Sequence, residues 1–144
     1  MKAYRFGLDG WGLLLFVAIM VPNILWGLLA GEGDLLMQPT AVPVLDMVVS
    51  AAQVLTIAGM LCLRRREEPA YKPWVPLIFA VAYLLMWALY GLGIVHPAVP
   101  LGLAVFPCAA ILLHLIRRHN IITLVPATLF AAGHVLSALI NFVF

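Results

Sequence analysis

Five long apolar runs, separated by short polar breaks, organise this chain. They cover roughly residues 11–30, 43–63, 74–95, 99–116 and 121–144. None alternates polar and apolar positions as a barrel strand would. A helix of about 20 residues crosses about 30 Å of hydrocarbon, and all five runs come close to that length, the fourth being the shortest. A backbone in lipid must satisfy its own hydrogen bonds, which makes helix the conformation these runs dictate. The expected fold class is therefore all-α: a polytopic transmembrane helical bundle of five spans in a single domain, 1–144.

The breaks carry their own signals. Gly31-Glu32-Gly33-Asp34, with Pro39 and Pro43, ends span one and starts span two. Arg64-Arg65-Arg66-Glu67-Glu68-Pro69 through Lys72-Pro73 separates spans two and three. His96-Pro97 and Pro100 form a tight turn, and Arg117-Arg118-His119-Asn120 parts spans four and five. Proline is tolerated in the first turn of a helix, where its missing N–H costs nothing. Gly27 and Gly31, Ala127 and Ala131, and Gly133 and Ser137 lie four apart, a spacing that lets helices approach closely.

Composition confirms lipid as the solvent for most side chains. Apolar residues make up 65% and charged residues 10%, against about half and about a quarter in soluble domains. Mean hydropathy is +1.12, and a water-soluble fold of this size could not hide that much apolar surface. The charges then set the orientation. With the N-terminus in the cytoplasm, Lys2, Arg5, Arg64, Arg65, Arg66, Lys72, Arg117 and Arg118 all fall on the cytoplasmic side, and these are all eight Lys and Arg residues. The positive-inside rule thus places the N-terminus in and the C-terminus out, in a bacterial inner or plasma membrane. The first run is interrupted by Pro22-Asn23 and lacks a small-residue cleavage site, so it reads as an uncleaved span.

Polar side chains inside a span are costly and face the protein interior. Span two carries Asp46, Ser50 and Gln53, at offsets of four and three, all on one helix face. Span five carries His134, Ser137 and Asn141 at offsets of three and four, at matching depths. Span three carries an aromatic ridge, Phe79, Tyr83, Trp87 and Tyr90. Span one contributes Asn23 beside Pro22, whose missing N–H frees a carbonyl one turn earlier. Each feature has a plain reading. Asp46 suits the dipole at a helix N-terminus, the polar stripes glue helices together, and the ridge packs the core. The sharper reading is one outward-facing pocket, with Asn23, Asp46, Ser50, Gln53, Tyr83, Trp87, Tyr90, His134, Ser137 and Asn141 as candidate ligand-binding residues. His114, near Arg117 and His119, belongs instead to the inner interface.

No motif names a reaction. There is no phosphate-binding glycine loop, no HExxH, no catalytic carboxylate pair and no nucleophile elbow. Neither catalysis nor a cofactor is expected. The four histidines are scattered over both faces, and no metal site is expected. Cys62 and Cys108 offer neither a disulfide framework nor a metal pattern and read as small buried residues. Nucleic-acid binding is not expected either. An odd number of spans cannot divide into two inverted halves, so any transporter-like symmetry requires a homo-oligomer.

The segments Val21-Pro22-Asn23-Ile24-Leu25-Trp26, Pro43-Val44-Leu45-Asp46 and Ser50-Ala51-Ala52-Gln53-Val54 resemble a family of small bacterial multi-pass membrane proteins with no assigned function. The resemblance covers the first two spans and implies a membrane fold without an activity. Lys72-Pro73-Trp74 and the Tyr83 region are similar to a segment of the five-span tryptophan-rich sensory and translocator proteins, though that segment follows the first span there and the second span here. Two functions compete. One is a small-molecule binding protein or transporter, for which a carboxylate beside aromatic faces suits an organic cation. The other is a structural or accessory subunit whose partners are lipid and another membrane protein. A wet cavity lined by both stripes favours the first, and a dry bundle with every polar group paired favours the second.

Overall fold

The computed structural model describes residues 3–67 and 69–144, so Lys2 and Glu68 lie outside the described residues. Among the described residues five α-helices form: α1 Gly10–Leu29, α2 Pro43–Cys62, α3 Trp74–Gly91, α4 Ala98–Arg117 and α5 Ile121–Phe142. All five are long and apolar enough to cross a membrane. A short antiparallel pair, β1 Tyr4–Phe6 with β2 Leu63–Arg65, ties the N-terminal arm to the end of α2. The apolar pattern gave no hint of these strands, because three residues carry too little periodicity to read.

α3 stops at Gly91 although the apolar run continues to residue 95. The cause is the backbone at Gly93, whose φ of 79° lies in the left-handed region. Ile94 N–H bonds Leu89 O at 3.1 Å and Gly93 N–H bonds Tyr90 O at 2.9 Å, the paired bonds of a Schellman stop. The end of α4 repeats the motif with His119 in the left-handed position, at φ 52°. There Asn120 N–H bonds Leu115 O and His119 N–H bonds Ile116 O.

α4 is the hub. It packs between α3 and α5, α5 packs along α2, and α1 rests chiefly on α3 with thinner contacts to α2 and α4. Within their apolar windows 61% of α4 is buried but only 11% of α1, so α4 is a core helix and α1 a rim helix. Small residues set the α2–α5 approach. A Cβ added at Gly133 would lie 2.5 Å from Val49 Cγ2, and one at Gly59 would collide with the Thr123 side chain. Gly27 and Gly31 face open space instead. Their four-residue spacing makes no helix contact, because Gly27 faces away from the bundle and Gly31 lies beyond the end of α1. Gly133→Leu is therefore expected to cost about 1–3 kcal/mol by overpacking. Gly27→Leu should stay within about 0.5 kcal/mol. Thermal melting of the two variants in detergent checks the contrast. Cys108 is buried as expected, but Cys62 is exposed, since it faces outward at the last turn of α2.

The basic end of the bundle is closed by a buried polar cluster. Asp9 caps α1, accepting from Trp11 N–H at 3.0 Å and Gly12 N–H at 3.2 Å. Its carboxylate also pairs with Arg118 at 3.0 Å and lies 3.5 Å from His114 Nε2. A carboxylate only accepts, so Nε2 carries the proton. His114 Nδ1 meets the Tyr71 hydroxyl at 2.6 Å, and the Arg118 guanidinium stacks 4.2 Å from the Tyr71 ring centroid. Asn120 caps α5 and donates to Leu63 O at 2.8 Å. Burial alone would raise the Asp9 carboxyl's pKa, but the bonds from His114 and the Gly12 N–H, with the nearby positive charges, hold it well below the usual carboxylate range. Burial pushes the Tyr71 hydroxyl up to about 12, so it keeps its proton for the His114 contact. One cluster thus joins α1, the α2–α3 loop, α4 and α5.

Candidate ligand-binding cavity

The opposite end is not closed in this way. A cavity of about 440 Å³ opens there, walled by residues from all five helices and by the loop between α1 and α2. α2 contributes Asp46, Ser50 and Gln53, and α5 contributes His134, Ser137 and Asn141. The one-face stripes of both helices therefore meet on a shared cavity. Asn23 and Trp26 reach it from α1, Trp87 from α3, and Leu103 from α4. The offsets of three and four explain the α2 and α5 walls directly, because each stripe lies along one helix face.

Three of the four residues of the aromatic ridge stand elsewhere. Tyr83 is 1% exposed and does not wall this cavity. Its hydroxyl donates to Ile19 O at 2.9 Å and accepts from Asn23 Nδ2 at 2.8 Å. Ile19 O follows the carbonyl that the missing Pro22 N–H would have served, and Asn23 Nδ2 also reaches it at 2.9 Å. Both bonds fall on Ile19 O and not on the Ala18 carbonyl that Pro22 frees, so neither Asn23 nor Tyr83 answers the proline break itself. Tyr90 donates to Asp34 Oδ1 at 2.6 Å, above the cavity. Phe79 packs against Phe106 of α4, with ring centroids 6.4 Å apart. Only Trp87 of the ridge faces the cavity. It stands edge-on to Tyr83 and Tyr90 and 6.0 Å from the Trp26 ring.

Asp34 is a residue that apolar patterning misses. It accepts from Tyr90, from Leu36 N–H and from Trp26 Nε1 at 3.1 Å. Desolvation would raise its pKa, but these three donors hold the carboxyl below its ordinary value. The clasp folds the 30–42 loop, with its short 3₁₀ turn Leu35–Met37, across the cavity mouth. Leu35, Leu36, Gln38, Pro39 and Thr40 of that loop join the lining. On the far side Ala41 N–H bonds Asn141 Oδ1 at 2.9 Å. The signal in the sequence was Gly33-Asp34, a left-handed glycine before an N-cap residue; its partners on α1 and α3 left no trace there.

Polar groups on the wall fall into two sets. Near the mouth they are paired: Ser137 donates to Asp46 Oδ1 at 2.9 Å, and Asn141 donates to Ser137 O and Oγ. Asp46 makes that bond rather than capping the α2 backbone, for the Val42 cap has no side-chain hydrogen bond. Deeper in, the pairing stops. Trp87 Nε1 is buried without a hydrogen bond of good geometry. Among the described residues neither the Gln53 amide nor the His134 ring nitrogens has a hydrogen-bond partner, though His134 stacks on Phe130 at 5.3 Å. Among the described residues Asp46 is the only carboxylate that lines the wall, and no Lys or Arg lines it.

Fold and cavity together define a five-helix bundle of membrane-spanning type with a polar, aromatic chamber open at the end away from its basic loops. Comparison with protein-family models, curated proteins and solved structures finds no match for this chain.

Proposed function

We propose that this protein binds a small organic cation in the chamber walled by α2 and α5, as a binding protein or transporter of the cell membrane. The carrying observation is one carboxylate, Asp46, with no Lys or Arg among the described lining residues, above the Gln53 amide and the His134 ring, for which no hydrogen-bond partner stands among the described residues. A half-buried carboxylate with no Lys or Arg among the described lining residues lacks a permanent counter-charge, and unmet donors and acceptors at membrane depth are costly. A bound cation, with water at the remaining groups, offsets both. The paired indoles Trp26 and Trp87 supply π faces for its charge. The Asp46–Ser137–Asn141 bonds would also serve an accessory subunit, but the unpaired groups below them would not.

The test is calorimetric titration with tetramethylammonium, alongside melting, in lipid nanodiscs. Saturable binding is expected, with stabilisation of about 2.7 kcal/mol at a hundredfold excess over Kd. Absence of a saturable response to tetramethylammonium and to larger quaternary ammonium ions removes the reading.

The one-sided basic residues support a cytoplasmic N-terminus and basic loops, which opens the chamber to the outside. Reporter fusions are expected to place the Arg64–Lys72 and Arg117–Asn120 loops inside and Phe144 outside. A cytoplasmic Phe144 contradicts this orientation.

A further inference from the structure

Below the polar chamber lies a second one of a different character. It holds about 210 Å³ between α1 and α2, backed by α4 and α5, and its walls include Phe16, Ile19, Met20, Ile57, Met60 and Ile111. The two chambers meet at Asn23, Gln53, Leu103 and His134, which wall both. The polar groups of the lower chamber are already spent within the protein. Thr56 donates to Ala52 O at 2.7 Å, and Tyr83 is held by Ile19 O and Asn23. Apart from the junction residues, this lower space asks for no hydrogen bonds. An apolar cavity of about 150 Å³ stays dry and takes up benzene, so this one has room for an apolar group of at least that size. The two methionines on its walls adapt to irregular shapes.

We propose that the ligand is an amphiphilic organic cation: its charged head lies beside Asp46, and its ring or alkyl tail descends past Gln53 and His134 into the chamber between α1 and α2. This rests on the cation reading above and adds the tail. The physical reason is the juxtaposition of a chamber with unmet polar groups and one carboxylate against a chamber whose unmet groups are confined to the rim that the two share. No compact polar cation uses both. The sparse α1–α2 contact puts the lower chamber beside the lipid-facing seam, where a membrane-dissolved tail arrives without crossing water.

The experiment is a homologous series of n-alkyltrimethylammonium ions, ethyl to octyl, titrated calorimetrically into protein in nanodiscs, with empty nanodiscs subtracted for partitioning. Affinity is expected to rise about three- to fourfold per methylene until the chamber is full. Ile57→Trp and Met20→Trp fill the chamber from opposite walls. Both should leave the ethyl member's Kd unchanged and flatten the rise. Ile57→Ala enlarges the space and should move the plateau to a longer chain, which keeps the test open if a tryptophan variant fails to fold. If the ethyl member binds and the series is flat in the wild type, the tail site is overturned and the cation reading stands. A rise preserved in the tryptophan variants also overturns it, since the tail then lies elsewhere. If no member binds, both readings fall.

Discussion

Replacing Asp9 with alanine is expected to destabilise the protein by about 3–5 kcal/mol, the cost of breaking a buried ion pair from one side. Asp9 is 4% exposed, and it faces Arg118 at 3.0 Å and His114 at 3.5 Å. Without the carboxylate, Arg118 and His114 both lose their contact with Asp9, and α1 loses its cap. Asp9→Asn separates the two losses, because asparagine caps a helix as well as aspartate does but carries no charge. It should fall between alanine and the wild type. The pH dependence has a definite sign. The Asp9 pKa is depressed in the fold, so its contribution is complete above its unfolded value of about 3.9 and is lost as pH falls toward the folded value. The wild type should lose stability on acidification below about pH 4, and the gap to Asp9→Asn should close there. Denaturant titration in detergent at neutral and acid pH checks both expectations. A loss below 1 kcal/mol for Asp9→Ala at neutral pH would mean that the basic end is not held by this cluster.

That cluster also marks where reading the chain from its sequence stops. The helices were legible because a run of about 20 apolar residues has one way to satisfy its backbone in lipid. The walls of the upper chamber were legible because offsets of three and four fix a face: Asp46, Ser50 and Gln53 had to share one side of α2. The aromatic ridge was only partly legible for the same reason. Spacing gives a face but not a partner, and the ridge divides among α1, α4 and the 30–42 loop. Asp9 carried no signal in the apolar pattern, and its tie to Arg118 spans 109 residues, a contact that no local pattern encodes. The Asp34 clasp is hidden likewise, since Tyr90 read as part of the aromatic ridge and nothing in the sequence joined it or Trp26 to the loop. The early stop of α3 was written in Gly91-Leu92-Gly93, but continuous hydropathy through residue 95 masked it. The four-residue spacing of Gly27 and Gly31 misled in the other direction, because spacing records the chance to pack and not the presence of a neighbour.

The second large effect is expected at Asp46, where Asp46→Asn should weaken tetramethylammonium binding by about ten- to a hundredfold or more, the equivalent of a charged interaction of about 1.5–3 kcal/mol. The substitution is well matched to the question. The asparagine side-chain oxygen can still accept the Ser137 hydroxyl that Asp46 takes at 2.9 Å, so the α2–α5 contact survives. Asp46 lies in the first turn of α2, and removing its charge there forfeits a dipole contribution of only about 0.3–1 kcal/mol. The fold should therefore melt nearly as the wild type does without ligand, while stabilisation by the cation disappears. Ser137→Ala is the complementary variant. It removes the hydroxyl donor and leaves the carboxylate, so a role confined to gluing α2 to α5 predicts a loss of stability with no change in cation response. A cation site predicts that the response persists in Ser137→Ala and vanishes in Asp46→Asn. Melting of the three proteins with and without tetramethylammonium reads out the difference, and an unchanged response in Asp46→Asn would show that the charge is not used.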